Sequence, residues 1–264
     1  MSVSVESRRI AIIGAGNVAA SLAPAFLSAG FTVVAVWSRS EESARLLGKK
    51  IGSPSFTDID SLPDADIVIV SVTDNALSSV AAAVANRFKE ALVLHTAGSL
   101  PMALLREAGC SRYGVFYPMQ TFSKSRPVDF STVSLFVEGC CEEATVEAED
   151  IALSIGARVY RATSEQRRFL HLAAVFVCNF SNALYAMAAE LLERNGLPFE
   201  AMLPLIDETA AKVHQLSPRD AQTGPARRGD TVVMQRQREL LDGTLLEAYN
   251  LLSEYIQNTK YDKL

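Results

Sequence analysis

Cysteine is scarce in this 264-residue chain: Cys110, Cys140, Cys141 and Cys178 are irregularly placed. The vicinal pair disfavours a simple bridge, and C-x-x-C spacing is missing, so neither a disulfide framework nor a zinc site is expected. Reduced thiols in a cytoplasmic protein are the expectation. Three histidines far apart add no metal pattern. Basic excess is also lacking, since 25 Lys and Arg face 30 Asp and Glu for a net charge of −5. That balance gives no electrostatic pull toward nucleic acid or an anionic membrane. No uninterrupted apolar run approaches the ~18 residues of a membrane span; the richest segment is broken by Asn179, Ser181 and Asn182. The polar stretch from Met1 to Arg9 runs straight into an apolar strand, so no signal peptide is expected. Internal repeats and low-complexity tracts are absent from the sequence.

What is present is an ordinary globular composition, 49% apolar and 21% charged. The length suits one large domain or two modest ones with ample core. The most telling stretch is Arg9-Ile10-Ala11-Ile12-Ile13-Gly14-Ala15-Gly16-Asn17-Val18-Ala19, an apolar run ending in G-x-G-x-x-A where a helical pattern begins. A buried strand, a glycine turn and a helix N-terminus together make an anion site from backbone N–H groups and the helix dipole. Gly14 permits the turn, Gly16 admits a pyrophosphate to the backbone, and Ala19 lets helix and strand pack closely. A second strand at Phe31–Trp37 closes the unit on schedule. About 20 residues past the glycines, an NAD site places a carboxylate on the ribose. Here that place reads Trp37-Ser38-Arg39-Ser40. An Arg between two hydroxyls suits a 2′-phosphate through charge-assisted bonds, so NADP(H) is expected in preference to NAD.

The first 162 residues alternate strands and helices, which predicts an α/β domain with a doubly wound, mostly parallel Rossmann sheet. Strand signals then vanish, and residues 163–264 are expected to be an all-helical domain for substrate binding and dimerisation. Its first helix is predicted from His171 to Arg194, about 36 Å at 1.5 Å per residue. A second runs from Pro198 to Gln215 with a kink at Pro204, a loop follows over 217–229, and helices at 230–242 and 244–258 end the chain. A dinucleotide lies across the carboxyl ends of the strands. Ser71, Val72 and Thr73 after the fourth strand, and His95, Thr96 and Ala97 after the fifth, therefore join Gly14, Ala15, Gly16, Asn17, Val18, Ala19, Ser38, Arg39 and Ser40 as cofactor candidates. Tyr117 and Gln120 follow the sixth strand, on the substrate side.

Five motifs resemble a family of Rossmann-like NADP oxidoreductases whose C-terminal half is a domain of unknown function (2520). They are Gly14-Ala15-Gly16-Asn17-Val18, His95-Thr96-Ala97-Gly98-Ser99, Tyr117-Pro118-Met119-Gln120-Thr121-Phe122, His171 to Phe180, and Thr223 to Asp230. The likeness covers nearly the whole chain. It implies NADP binding in the first domain and a helical, dimerising second domain, with an architecture similar to pyrroline-5-carboxylate reductase and the 6-phosphogluconate dehydrogenase-like group. The Lys and Asn that hydroxyacid dehydrogenases of that group carry one turn apart have no counterpart, because His171 is followed one turn later by Val175.

Hydride transfer needs a nicotinamide, a positioned acceptor carbon and a proton source. His171, Asn179 and Asn182 fall within about 80° on one helical face at 100° per residue. His171 is the candidate acid, with Asn179 beside it and Asn182 toward the substrate; His95 is the alternative acid. Arg227 and Arg228, between turn formers and just before an expected N-cap at Asp230, are candidates to clamp a substrate carboxylate or phosphate. Together these predict an NADP-dependent oxidoreductase that reduces a small carbonyl or imine substrate and works as a homodimer, without metal, nucleic acid or membrane. A non-catalytic NADP(H)-binding sensor acting through its helical domain is the second reading. Polar groups converging on the nicotinamide C4 favour the enzyme, and a cleft filled by apolar side chains favours the sensor.

Overall fold

A computed structural model describes residues 8–259. It divides into two compact units, 1–179 and 180–264.

In the first unit, apolar β-branched runs form the strands β1 (Arg9–Ile13), β2 (Thr32–Trp37), β3 (Ser55–Phe56), β4 (Ile67–Val70), β5 (Leu92–His95), β6 (Arg112–Met119), β7 (Ser134–Gly139) and β8 (Arg158–Arg161). They make one sheet in the order β3-β2-β1-β4-β5-β6-β7-β8. Every neighbouring pair is parallel except β6 and β7, which run antiparallel. Helices α1 (Asn17–Ser28), α2 (Glu41–Ile51), α3 (Asp74–Arg87), α4 (Ala103–Glu107) and α5 (Glu142–Ser154) connect them. Alternate residues of a strand face opposite sides. Ile10 and Ile12 of β1 therefore join the core that holds Ala19, Phe26, Leu47 and Ile151. Ala11 and Ile13 join the core that holds Leu77, Val80 and Leu105. With helices on both faces, β4 is buried at all four positions, as a doubly wound sheet requires. The chain leaves β1 toward β2 on one side and returns as β4 on the other, so the switch point of the sheet opens above Gly14 and Ser71.

The helix expected from His171 begins a full two turns earlier. α6 (Ser164–Ala174) starts at a capping box: Thr163 Oγ1 accepts from the Gln166 N–H, and Gln166 Oε1 accepts from the Thr163 N–H. Its polar opening, Ser-Glu-Gln-Arg-Arg, hid it from a reading based on apolar periodicity. His171 thus sits well inside the helix. Residues Val175–Phe180 continue as a π-helical turn rather than an α-helix.

The second unit carries α7 (Ser181–Glu193), α8 (Leu203–Lys212), α9 (Pro218–Ala221), α10 (Pro225–Arg228), α11 (Thr231–Arg238) and α12 (Gly243–Asn258). Pro204 lies in the first turn of α8 after a 3₁₀ turn (Phe199–Met202), so it opens a helix where a kink was expected. The expected loop at 217–229 contains two short helices. Asp230 caps α11, its carboxylate accepting from the Val233 N–H at 3.1 Å.

One helical stretch, Ser164–Glu193, is long and apolar enough by composition to cross a membrane, with a mean hydropathy of 1.5 over 18 residues. Its apolar run is still interrupted by Asn179, Ser181 and Asn182, as expected. The first turns of the stretch are tied to the sheet through the fully buried Arg167, which marks α6 as a packing helix of the first unit.

Candidate active site

Two of the clefts in the first unit bring expected site residues together. The first lies over the switch point, with a volume of about 320 Å³. Gly14 is built for it, with φ +123°, and a Cβ there would come within 2.1 Å of the Ser71 carbonyl oxygen. At Gly16 a Cβ would meet nothing within 4 Å, so open space stands before the N-terminus of α1. That helix has no side-chain cap and no acidic residue in its first turn, leaving its N–H groups to an anion. Gly14, Ala15, Gly16, Trp37, Ser38, Arg39, Ser71, Val72 and Thr73 line this cleft together. Asn17 is exposed beside it, whereas Ala19 is wholly buried against the sheet and Val18 packs on the same core.

Ser40 turns out to cap α2, its hydroxyl accepting from the Ser43 N–H at 3.3 Å, and its own N–H donates to Ser38 Oγ at 3.2 Å. In its place Ser43 lines the cleft, together with Ser38. Sequence reasoning also missed Lys124, which reaches the same cleft from the loop after β6. Nothing local signals that lysine, because its approach to Arg39 is a product of topology. The donor set of Ser38, Arg39, Ser43 and Lys124 has the chemistry to hold a phosphate monoester.

The second cleft, about 420 Å³, lies between the end of β6 and the helical stretch α6 with its π turn. Tyr117 and His171 meet here, Oη to Nδ1 at 3.1 Å. Gly98 makes the meeting possible: a Cβ on it would stand 2.7 Å from both His171 Nδ1 and the Tyr117 ring. Phe136 packs against the tyrosine with ring centroids 6.3 Å apart. Burial pushes the Tyr117 phenol above its ordinary pKa, partly offset by the Arg167 charge, so the phenol stays protonated. Gln120 and Asn179 line the same cleft, and Cys178 joins them. π turns recur at functional sites, and this one carries Val177, Cys178 and Asn179 onto the wall formed by Leu170 and His171. Gln120 Oε1 is turned back onto the Thr121 N–H at 2.8 Å.

α6 is fixed to the sheet one turn before His171. Arg167, fully buried, donates to Glu138 Oε2 at 2.7 Å and to the Leu100 carbonyl at 2.7 Å. Ser164 Oγ donates to the same carboxylate at 2.6 Å and accepts from the Met102 N–H.

The other expected residues are not among those that line this cleft. His95 is completely buried, and its Nδ1 accepts from the Ala97 N–H at 3.2 Å. Burial first, and the Arg167 charge second, push its pKa down to about 3, against a smaller opposing effect of the Pro101 backbone. A neutral ring closed to solvent pins the loop after β5 and does not suit an acid. Thr96 and Ala97 follow it in that loop, the Thr96 N–H bonded to the Val70 carbonyl. Asn182, Arg227 and Arg228 belong to the second unit. Arg227 donates to the Asp220 and Gln222 carbonyls of its own loop, and Arg228 is exposed. Among the described residues no cluster could hold a metal ion.

A doubly wound sheet with a glycine-lined anion cleft at its switch point defines a dinucleotide-binding protein of the oxidoreductase class. Residues 9–98 match the family described as NADP oxidoreductase coenzyme F420-dependent, and residues 133–256 match the Domain of unknown function (DUF2520). A solved Bacteroides fragilis protein, assigned only by class as an NADP oxidoreductase, is 48% identical with a TM-score of 0.91, covering 97% of this chain and 100% of that one. The chain belongs to this family of NADP oxidoreductases with a DUF2520 domain. An imine reductase from Myxococcus stipitatus, solved with NADP+, shares the fold at 18% identity, with a TM-score of 0.67 over 94% of this chain and 91% of that one. The pyrroline-5-carboxylate reductase of Pseudomonas aeruginosa is 33% identical over 105 residues, which are 38% of this chain and 38% of that relative.

Proposed function

We propose that this protein reduces a small carbonyl or imine compound with NADPH and works as a homodimer. The observation that carries the reading is the Tyr117–His171 pair, opening on a largely apolar cleft in the same unit as the glycine cradle. Polar groups that converge in this way support an enzyme over a sensor.

Gly14 and Gly16 with the α1 N-terminus would seat the pyrophosphate, and Ser38, Arg39, Ser43 and Lys124 the 2′-phosphate. Bound NADPH would supply hydride to the electrophilic carbon and leave oxidised, while the heteroatom gains a proton. His171 delivers that proton. Its Nδ1 is engaged by Tyr117, so Nε2 is the nitrogen left for substrate. A phenol can donate to a neutral imidazole and accept from an imidazolium, so the ring stays oriented in both protonation states. Asn179 orients the substrate.

Titration with NADPH and NADH, followed by nicotinamide fluorescence, tests the cofactor half. Tight NADPH and weak NADH binding is expected. Arg39→Asp should weaken NADPH about ten- to hundredfold, the worth of a charge-assisted hydrogen bond, and change NADH little. Equal losses for the two nucleotides would remove Arg39 from the phosphate, and no binding of either would overturn the reading.

Support for the homodimer comes from the second unit, which buries only Ala226, Met234 and Ser253 among its described residues.

A further inference from the structure

Resting on that reading, we propose that the cleft beside Tyr117 and His171 takes an uncharged, mainly apolar imine or carbonyl compound and binds no substrate carboxylate. None of its lining residues is Lys, Arg, Asp or Glu. Its walls include Met119, Leu170, Ala174, Val175 and Val177, and its polar groups are neutral apart from the titratable His171. Of the two cations nearest on α6, Arg167 is fully buried and already committed to Glu138 and the Leu100 carbonyl, and Arg168 is exposed and is not among the residues lining the cleft. A carboxylate entering here would lose its water and find no fixed cation, only His171, which the reaction needs for the imine nitrogen or carbonyl oxygen, an unfavourable exchange. An imine nitrogen or ketone oxygen asks for one donor, and His171, oriented by Tyr117, supplies one. The volume, about 420 Å³, falls in the range of small-molecule sites.

Its nearest rival is a substrate carboxylate held by Arg228, exposed in the second unit and contributed from another copy. A matched pair of probes separates the two: 1-pyrroline and 1-pyrroline-5-carboxylate, the same ring without and with a carboxylate, at pH 8. Two readouts are taken on the full-length protein. The first is the shift of the His171 imidazole NMR signals on adding each ring without nucleotide. The second is NADPH consumption.

The expected result is that 1-pyrroline moves the His171 signals and is reduced with a kcat/KM at least tenfold above its carboxylated counterpart. Preference for the carboxylated ring would overturn the proposal, and its loss in Arg228→Ala would place the carboxylate on that arginine. Failure of 1-pyrroline to move the His171 signals would also overturn it. If 1-pyrroline moves those signals while NADPH does not bind, the inference about the cleft stands and the reductase reading falls.

Discussion

Burial at the end of β5 fixes what His95 can do. Its ring is neutral in the folded protein down to about pH 3, whereas the unfolded chain protonates it near 6.5. Between those values the unfolded state binds the extra proton, so stability rises with pH and is lost as pH falls from 6.5 toward 3. One proton is worth at most about 1.4 kcal/mol per pH unit. Urea denaturation between about pH 5 and 6.5, above the range where most carboxylates titrate, should show this slope in the native sequence and a flatter one in His95→Gln. Parallel slopes would mean that the imidazole is protonated in the fold. Sequence placed His95 at a strand end but could not tell a cleft wall from the layer beneath it. That distinction depends on burial and on the charge of Arg167, 72 residues later in the chain. His171 was legible as an acid candidate, while its partnership with Tyr117 depends on Gly98, whose missing side chain leaves room for both rings. Lys124 carried no signal at all.

At the scale of elements, α6 is held by one buried ion pair. Replacing Arg167 with Met would leave Glu138, 18% exposed, facing the interior without its partner. Removing one member of such a pair costs about 3–5 kcal/mol. Replacing Glu138 by Met as well should restore much of that, because two apolar groups need no partners. Chemical denaturation of the two variants checks this; a loss below about 1 kcal/mol for the single variant would mean that solvent reaches Glu138 and screens it. The sheet elements were readable because parallel strands buried on both faces are continuous apolar runs, as in Ile67–Val70. The start of α6 was not, because its capping residues precede a polar first turn. The π turn was not either: its six residues, Val-Phe-Val-Cys-Asn-Phe, have ordinary helical composition, and a wider turn is selected by packing rather than by propensity.

At the scale of the molecule, the two units differ in how they are stabilised. The first has apolar cores on both faces of an eight-stranded sheet. The second, described from 180 to 259, buries three residues to less than a tenth of their surface and leaves Leu205, Val232, Leu240, Leu251 and Tyr255 more than 60% exposed. A segment of that length needs a core to offset its conformational entropy, about 1–2 kcal/mol per residue for the backbone. Leu251 and Tyr255 lie one turn apart on α12 and form an apolar ridge. On the proposed homodimer, a second copy of the chain would supply matching surface without any other component, and a twofold contact would pair the same ridge with its own copy. Sedimentation equilibrium should therefore give twice the 28.6 kDa chain mass, and the thermal midpoint should rise with protein concentration, since association stabilises only the folded form. Leu251→Asp discriminates further. On a free surface it changes stability by no more than about 0.5 kcal/mol, whereas inside a subunit contact it lowers the mass to that of one chain and removes the concentration dependence. A single-chain mass at tens of micromolar, with a midpoint indifferent to dilution, would show that the helical unit is stable without a second copy.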